Sequence, residues 1–492
     1  MKNHFFPYRH VFAAVALGLI LAACTSDEWD KHYNTSNVVL ADKTLSECIK
    51  SQPELSKFYQ LMERCGYDVV LNGSLTYTVW APNNDALSAF DPATMDTLSA
   101  RKIVENHISL FSYPTSGLMT EKIHLLSNKL TTFHLEGSSY LFGENRLVEK
   151  NTPAKNGILH TLSGYEPYNS NLWEYMDILT DIDSVKNYFL SQIVTDDFGE
   201  TTNNLYQYAR LDNEDSTYTV LIPSNKAWRD ALERIQPYFK FYDNTAGYQL
   251  LYSKAYIIHN LFFSRVKDPY LYDSIVSTVA DTFGVNNLFM GATKYQASNG
   301  ALFKTDTLRV AANESWQKRI VVEAEWANYG RTSTNANLFF RNALGSGFEA
   351  SGDKYITLDP TSVNDISKVR VMFPIPNVLS ATYDIYCVMM PERIANAVSP
   401  KPNVVNFSIT YRKANGIYQP TSFTTLKNNV VTSADTVTNV YLGRVTFPWC
   451  SLAEGANSLE VIVRAENAVL KKDVATKSRT MRIDCVIFDP VQ

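Results

Sequence analysis

The chain has 492 residues, 45% hydrophobic and 19% charged, a globular composition too long for one hydrophobic core. Its formal charge is −5 and no basic run stands out, which argues against a nucleic-acid partner, because phosphate binding needs a concentrated basic footprint. Length alone predicts about three domains.

Lys2 and Arg9 open the chain, and residues 11–23 are apolar. Thirteen apolar residues fall short of the roughly 20 that a bilayer-spanning helix needs. The run ends in Leu21-Ala22-Ala23-Cys24 and gives way to polar Thr25-Ser26-Asp27-Glu28. A basic start, a short apolar stretch and small residues before a cut read as a secretory signal over residues 1–23. The tetrapeptide ending in Cys24 resembles a bacterial lipobox. That resemblance implies an acylated Cys24 and a lipid bilayer as partner, with residues 24–34 as a polar tether. Each buried CH₂ contributes about 0.8 kcal/mol, so several acyl chains anchor where one would not. Ser26-Asp27-Glu28 resembles the export signal of Bacteroidetes lipoproteins, which implies an outer-membrane, surface-exposed location. Loss of Lys2 and Arg9 leaves 43 basic against 50 acidic residues, a charge of −7.

Residues 44–65 are predicted helical: Leu45, Ile49, Leu55, Phe58, Leu61 and Met62 recur near helical spacing, with a break at Pro53. Residues 76–80 alternate β-branched and aromatic side chains, a strand signal. Pro82 ends that strand, and Asn83-Asn84-Asp85 suits a turn or a helix cap. A helix is expected over residues 99–110, including Asn106-His107, and strands near 123–148. Asn156-Gly157, a favoured tight-turn pair, opens the segment Ile158-Leu159-His160-Thr161-Leu162.

Residues 76–87 recur as 217–228, with seven identities at an offset of 141, which predicts two copies of one fold. The second copy repeats the order: helix over 185–194, strand over 217–221, a turn at Pro223-Ser224-Asn225, helix over 227–235, then Ile257-Ile258-His259 and Asn299-Gly300. Both copies resemble fasciclin (FAS1) domains. The first family motif matches residues 78–87, the central histidine is read as His107 and His259, and the second motif matches residues 156–160. In copy two Ile222 replaces the motif alanine and Phe303 stands in place of the histidine. The resemblance gives a first fasciclin-like domain over 35–167 and a divergent one over 168–312. It implies compact α+β modules for adhesion and for matrix or glycan contact, without catalysis. It also implies structural roles for Thr78, Pro82, Asn84, His107, Asn156, Gly157 and His160, and for Thr219, Pro223, Asn225, His259, Asn299 and Gly300.

No histidine occurs in residues 313–492, and alternating patterns dominate. Strands are predicted over 319–326, 368–373, 382–389, 405–411, 440–447, 458–465 and 480–488, the pattern of a β-sandwich. Glu323-Ala324-Glu325, residues 381–386, Gly455-Ala456-Asn457 and residues 483–487 loosely resemble a galactose-binding-like jelly roll. The resemblance implies a structural calcium held by Glu323, Glu325 and Asp484. Two of these are two apart on a predicted strand and so share a face, and oxygen ligands suit calcium. Solvated edge carboxylates are the alternative. Trp316, Trp326, Tyr329, Tyr418 and Trp449 are available to a sugar, although core packing is the ordinary role of each.

Beyond Cys24, five cysteines remain: Cys48, Cys65, Cys387, Cys450 and Cys485. No two have zinc-ligand spacing. Cys48 and Cys65 fall in one predicted helical region and could pair, whereas Cys387 and Cys485 read as small buried hydrophobes. No nucleophile elbow, metalloprotease helix or phosphate loop occurs. His124 and His134 lack a third ligand, and the acidic residues at 196–197 and 212–215 read as solvated loops. The chain therefore reads as multidomain: two α+β fasciclin-like modules, then an all-β jelly roll or sandwich over 313–492. The expected function is non-catalytic adhesion or glycan binding at the cell surface, accessory to polysaccharide capture, with no cofactor beyond that calcium. Partners would be a glycan or an extracellular or envelope protein. A structural envelope protein that binds proteins only, and a hydrolase with its site in the sandwich, are the alternatives.

Overall fold

The computed structural model describes residues 41–116, 120–244, 247–264, 268–326, 330–362, 368–452 and 459–491. The expected signal at 1–23, Cys24, the tether at 24–34, Tyr329 and Gly455-Ala456-Asn457 lie outside the described residues. Packing divides the chain into two units, residues 1–169 and 170–492. No helix among the described residues is long and apolar enough to cross a membrane.

The first unit opens with α1 (Leu45–Lys50), closed at its start by a capping box between Thr44 and Glu47. Pro53 begins a 3₁₀ turn, and α2 (Ser56–Cys65) follows. This helix buries Phe58, Leu61, Met62 and Cys65, one stripe at helical spacing, and stops at Gly66 in the left-handed region. Next come β1 (Tyr77–Pro82), α3 (Thr97–Glu105) and β2 (Ile108–Leu110). Four strands then run as hairpins: β3 (Thr120–His124), β4 (Leu130–Glu136), β5 (Ser139–Phe142) and β6 (Asn145–Ala154); β7 (Gly157–Leu162) closes the sheet. The strand order is β2-β1-β7-β6-β5-β4-β3. β1 is buried throughout and runs parallel to β7. The helix expected over 99–110 ends five residues early. Its last turn closes where His107 N–H donates to Val104 O, and residues 108–110 pair with the open edge of β1 instead.

The second unit begins with α4 (Asp183–Ser191), followed by a hairpin of β8 (Ile193–Thr195) and β9 (Thr201–Asn203). The helix expected over 185–194 thus yields its end to a strand. Next are β10 (Tyr218–Pro223), α5 (Asn225–Ile235), α6 (Tyr248–His259) and β11 (Phe262–Ser264). A small hairpin, β12 (Ser274–Val276) and β13 (Thr282–Gly284), precedes β14 (Thr293–Ala297) and β15 (Gly300–Thr305). The order β11-β10-β15-β14 repeats β2-β1-β7-β6 of the first unit, with β10 parallel to β15.

Residues 320–490 form two sheets. One contains β16 (Ile320–Glu323), β18 (Ala336–Asn342), β19 (Lys354–Pro360), β21 (Thr382–Met389), β24 (Thr438–Thr446) and β26 (Met481–Pro490). The other contains β17 (Thr332–Thr334), β20 (Arg370–Pro374), β22 (Val404–Thr410), β23 (Thr424–Val431) and β25 (Ile462–Asn467). Ile356, Ile385 and Ile483 from the first sheet and Phe373, Phe407 and Val463 from the second meet in one core. Each such side chain contributes roughly 1.5–3 kcal/mol on full burial. Seven of these eleven strands match the expected ones; β17, β18, β19 and β23 are additional.

All five described cysteines are buried free thiols. The pairing considered for Cys48 and Cys65 is absent. The two stand on different helices, and Cys65 Sγ lies 3.1 Å from Leu61 O within its own helix.

Candidate functional site

Asn156 lies in the two-residue turn between β6 and β7, because Ala154 and Gly157 face each other across it. Its Oδ1 accepts from Leu45 N–H at 2.8 Å, and its Nδ2 donates to Leu71 O at 2.8 Å and Gly73 O at 3.0 Å. Asn299 repeats this arrangement. Its Oδ1 accepts from Leu172 N–H at 2.9 Å, and its Nδ2 donates to Leu211 O at 2.8 Å and Asn213 O at 3.1 Å. Each asparagine joins the start of its repeat to the loop before the central strand.

Gly157 and Gly300 have φ of 150° and 151°. A Cβ on Gly157 would stand 1.8 Å from Tyr77 O, and one on Gly300 would stand 1.9 Å from Tyr218 O. Close approach of the parallel strands, rather than a tight turn centred on Asn-Gly, is what demands glycine here.

Pro82 and Pro223 close their strands in register with Leu162 and Thr305. Asn84 Oδ1 accepts from Lys57 N–H at 3.0 Å and its Nδ2 donates to Pro53 O at 2.9 Å. Asn225 likewise accepts from Ser184 N–H at 2.8 Å and donates to Asp183 Oδ2 at 2.8 Å. Thr78 Oγ1 donates to Phe111 O and accepts from Tyr113 N–H, both at 2.9 Å. The matching Thr219 hydroxyl is buried without a hydrogen-bond partner among the described residues.

His107 is fully buried. Its Nε2 accepts from Glu166 N–H at 2.8 Å, which leaves Nδ1 to donate to Ile103 O at 2.7 Å. His160 Nδ1 accepts from Asn151 N–H at 3.2 Å, and Nε2 lies 2.9 Å from Tyr113 O. Burial lowers the pKa of both to about 4, so both are neutral near pH 7. Neither ring has a nitrogen left for a substrate or a metal.

His259 is not the counterpart of His107. His107 O accepts from Trp80 N–H, and in the second repeat Leu261 O accepts from Leu221 N–H. Leu261 therefore occupies the histidine position. His259 lies two residues earlier, at the end of α6, with Nε2 3.1 Å from Tyr208 Oη. Burial lowers its pKa as well.

Residues 53–164 form a fasciclin domain. They match the family model of that description. The chain is 29% identical to mouse (Mus musculus) stabilin-2 over 126 residues and 26% identical to mouse stabilin-1 over 133 residues. These matches cover 23% and 25% of the chain and only 5% of either relative's length. Among solved structures, a FAS1 domain pair from the insect cell adhesion molecule fasciclin I is similar at 12% identity and a TM-score of 0.23. That match covers 53% of this chain and 98% of that one. A carbohydrate-binding module specific for non-crystalline cellulose is similar at 10% identity and a TM-score of 0.16, covering 31% of this chain and 86% of that one.

Within the fasciclin domain, sequence reasoning missed Asn106. Its Nδ2 donates to Glu166 O and Pro167 O, and its Oδ1 accepts from Ser127. His124 and His134 lie at opposite ends of the β3–β4 pairing and do not converge.

The predicted acidic group is partly assembled. Glu323 faces Cys485 across β16 and β26, and ligand atoms of Glu323, Asp484 and Cys485 all lie within 4.8 Å of one another. Glu325 is outside that group. β16 ends at Glu323, so residues 323 and 325 do not share a strand face, and the chain turns where Trp326 N–H donates to Glu323 O. Ser351, unmarked by any sequence signal, donates its N–H to both oxygens of Asp484 at 3.0 and 3.1 Å and its hydroxyl to Glu323 Oε1. Glu323 Oε2 and Glu325 Oε2 are buried without partners among the described residues. Burial, then the neighbouring carboxylates, raises the Asp484 pKa to about 7, and burial also raises that of Glu323. Two converging carboxylates, with Glu323 Oε2 orphaned, fit a hard cation that seeks oxygen. The Cys485 thiol, kept protonated by burial, does not fit as a calcium ligand.

Among the other residues singled out by sequence, Trp449 Nε1 donates to Lys413 O at 3.1 Å and Tyr418 lies 5.8 Å from the Arg412 guanidinium. Asp196 holds a hairpin tip by accepting from the N–H groups of Phe198 and Glu200. Asp212 pairs with Arg210. None of these arrangements is a paired-carboxylate cleft.

Proposed function

We propose that this protein is a non-catalytic lipoprotein, held in the outer membrane by acylated Cys24 and exposed at the cell surface, that serves adhesion or glycan capture. The fasciclin domain at residues 53–164 carries this reading, because such domains are typical of adhesion-related extracellular proteins. The engagement of both ring nitrogens of His107 and His160 supports it, because it assigns those side chains to architecture. In this reading residues 168–312 are a second, drifted fasciclin module. It keeps the Asn225, Asn299 and Gly300 geometry and loses both histidines. Residues 313–492 are a jelly roll of the galactose-binding-like kind. Glu323 and Asp484 hold a calcium ion there, whose charge would offset the burial that raises the pKa of both.

Affinity electrophoresis of the chain through plant and host polysaccharides tests the reading. Retardation by a glycan is expected. A second reading, contact with an envelope or extracellular protein, is supported by Phe198, 93% exposed at the tip of the β8–β9 hairpin. Retention of an outer-membrane protein in a pull-down, with no retardation by any glycan, would replace the first reading by the second.

A further inference from the structure

The second unit contains a cleft of about 300 Å³, near the lower limit for small-ligand sites. Its walls come from Tyr256 of α6, the segment that joins β15 to β16, Trp326, and the bend at Pro376. Two donors in that wall are unsatisfied. Ser315 and Trp316 are 3% and 4% exposed, and neither Ser315 Oγ nor Trp316 Nε1 has a hydrogen-bond partner among the described residues. Buried donors in this condition favour any ligand that brings acceptors.

The rim supplies the other two elements of recognition. Trp326 is 48% exposed and stacks on no ring among the described residues. Lys318 and Arg319 both line the cleft, but Lys318 is committed to an ion pair with Asp281. Arg319 is exposed and makes no ion pair among the described residues. Its guanidinium is free to fork onto a planar anion.

A pyranose ring has the complementary chemistry: an apolar C–H face for an indole, and a rim of hydroxyl oxygens that accept from buried donors. Arg319 adds a requirement for negative charge. We propose that this cleft binds saccharides that carry a carboxylate. Trp326 is the stacking face, Ser315 and Trp316 donate to hydroxyl oxygens, and Arg319 takes the carboxylate. The site rests on the glycan-binding reading above and gives it a place and a ligand class.

The test is affinity electrophoresis of the full chain in polygalacturonate and in neutral galactan. Wild type is expected to bind polygalacturonate the more tightly. Arg319→Gln should weaken that binding about tenfold, the loss of one charge-assisted contact, and leave binding to galactan unchanged. Trp326→Ala should abolish both. Both side chains are exposed, so thermal midpoints within the error of wild type are expected. Equal retardation of wild type by the two polymers would overturn the role of Arg319. Wild-type behaviour of both variants would overturn the cleft while leaving glycan binding intact. No retardation of wild type by any glycan would remove the glycan reading and the cleft together.

Discussion

Asn156→Ala should destabilise the first unit heavily, and Asn299→Ala should do the same to the second. Each substitution deletes three hydrogen bonds of 2.8–3.1 Å between one side chain and the backbone. An ordinary hydrogen bond contributes about 1 kcal/mol net, so three set a floor of roughly 3 kcal/mol. The orphaned Leu45 N–H lies in a buried bond, where an unmade partner costs about 1–3 kcal/mol. Part of that cost is relieved by water, and a loss of about 3–5 kcal/mol results. Domain stabilities are roughly 5–15 kcal/mol, so the variant unit would lose a large part of its margin. Urea denaturation followed by hydrogen exchange and mass spectrometry resolves the two units. Faster exchange in Asn156→Ala should be confined to residues 41–167, and in Asn299→Ala to the second unit. A loss below about 1 kcal/mol at either site would refute the view that these asparagines tie their repeats together.

Gly157→Ala and Gly300→Ala each place a methyl group within 2 Å of a carbonyl oxygen on the neighbouring parallel strand, so the ladder must part. Proteolysis of the affected unit under native conditions is expected, and a resistant variant would show that the strands can yield. Lowering the pH should weaken the first unit through His107 and His160. Their folded value of about 4 lies below the ordinary 6.5, so the unfolded chain binds more protons between the two. Their contribution is complete above about pH 6.5 and is lost as pH falls through 4, about 3 kcal/mol for each histidine. Urea midpoints unchanged between pH 7.5 and 4.5 in His107→Gln and wild type alike would contradict this. The acidic group behaves in the opposite sense. With Asp484 raised to about 7, its favourable contribution is present at low pH and is lost as pH rises through 7, so without a cation the second unit should melt lower at pH 8 than at pH 5. Calcium at a hundredfold excess over its dissociation constant should restore about 2.7 kcal/mol at pH 8. A melting temperature indifferent to both calcium and a chelator would exclude the ion.

Much of the α+β architecture was legible because certain backbone positions admit one residue type. Gly157 and Gly300 meet a neighbouring carbonyl, and Asn156 and Asn299 satisfy three backbone groups each, so both pairs stand out in the repeat. The histidine assignment failed for a geometric reason. Equivalent positions are 141 apart at β1, 154 apart at β2 and 143 apart at β7, since α6 and its approach are longer than α3. With no fixed offset, His259 falls two positions before the equivalent of His107, while Asn260 holds the place of Asn106. In the C-terminal sheets, β23 is exposed along most of its length and shows no alternation. β19 is buried over four consecutive residues, Tyr355-Ile356-Thr357-Leu358, so its strand signal is a continuous run rather than a period of two. The Glu323–Glu325 spacing misled because a two-residue rule holds only while the strand continues.

What drifted between the repeats separates architecture from recognition. In the second repeat Leu261 replaces the ring of His107 and Phe303 that of His160, and Phe303 packs edge-on against Phe289 with ring centroids 4.9 Å apart. A histidine that satisfies two backbone groups can be exchanged for an apolar side chain once the chain around it is rerouted. A glycine against a neighbouring carbonyl cannot, and neither can an asparagine with three backbone partners. In both repeats the Thr, His-position and Asn-Gly side chains are buried or face backbone, out of reach of a macromolecule. Substitutions there should lower binding only in proportion to the unfolded fraction. Residues that recognise a partner must instead be exposed and differ between the repeats. Phe198, in a hairpin of the second repeat, meets that condition; changes at it, and at Trp326, which is exposed beyond the repeats, should alter affinity at constant stability.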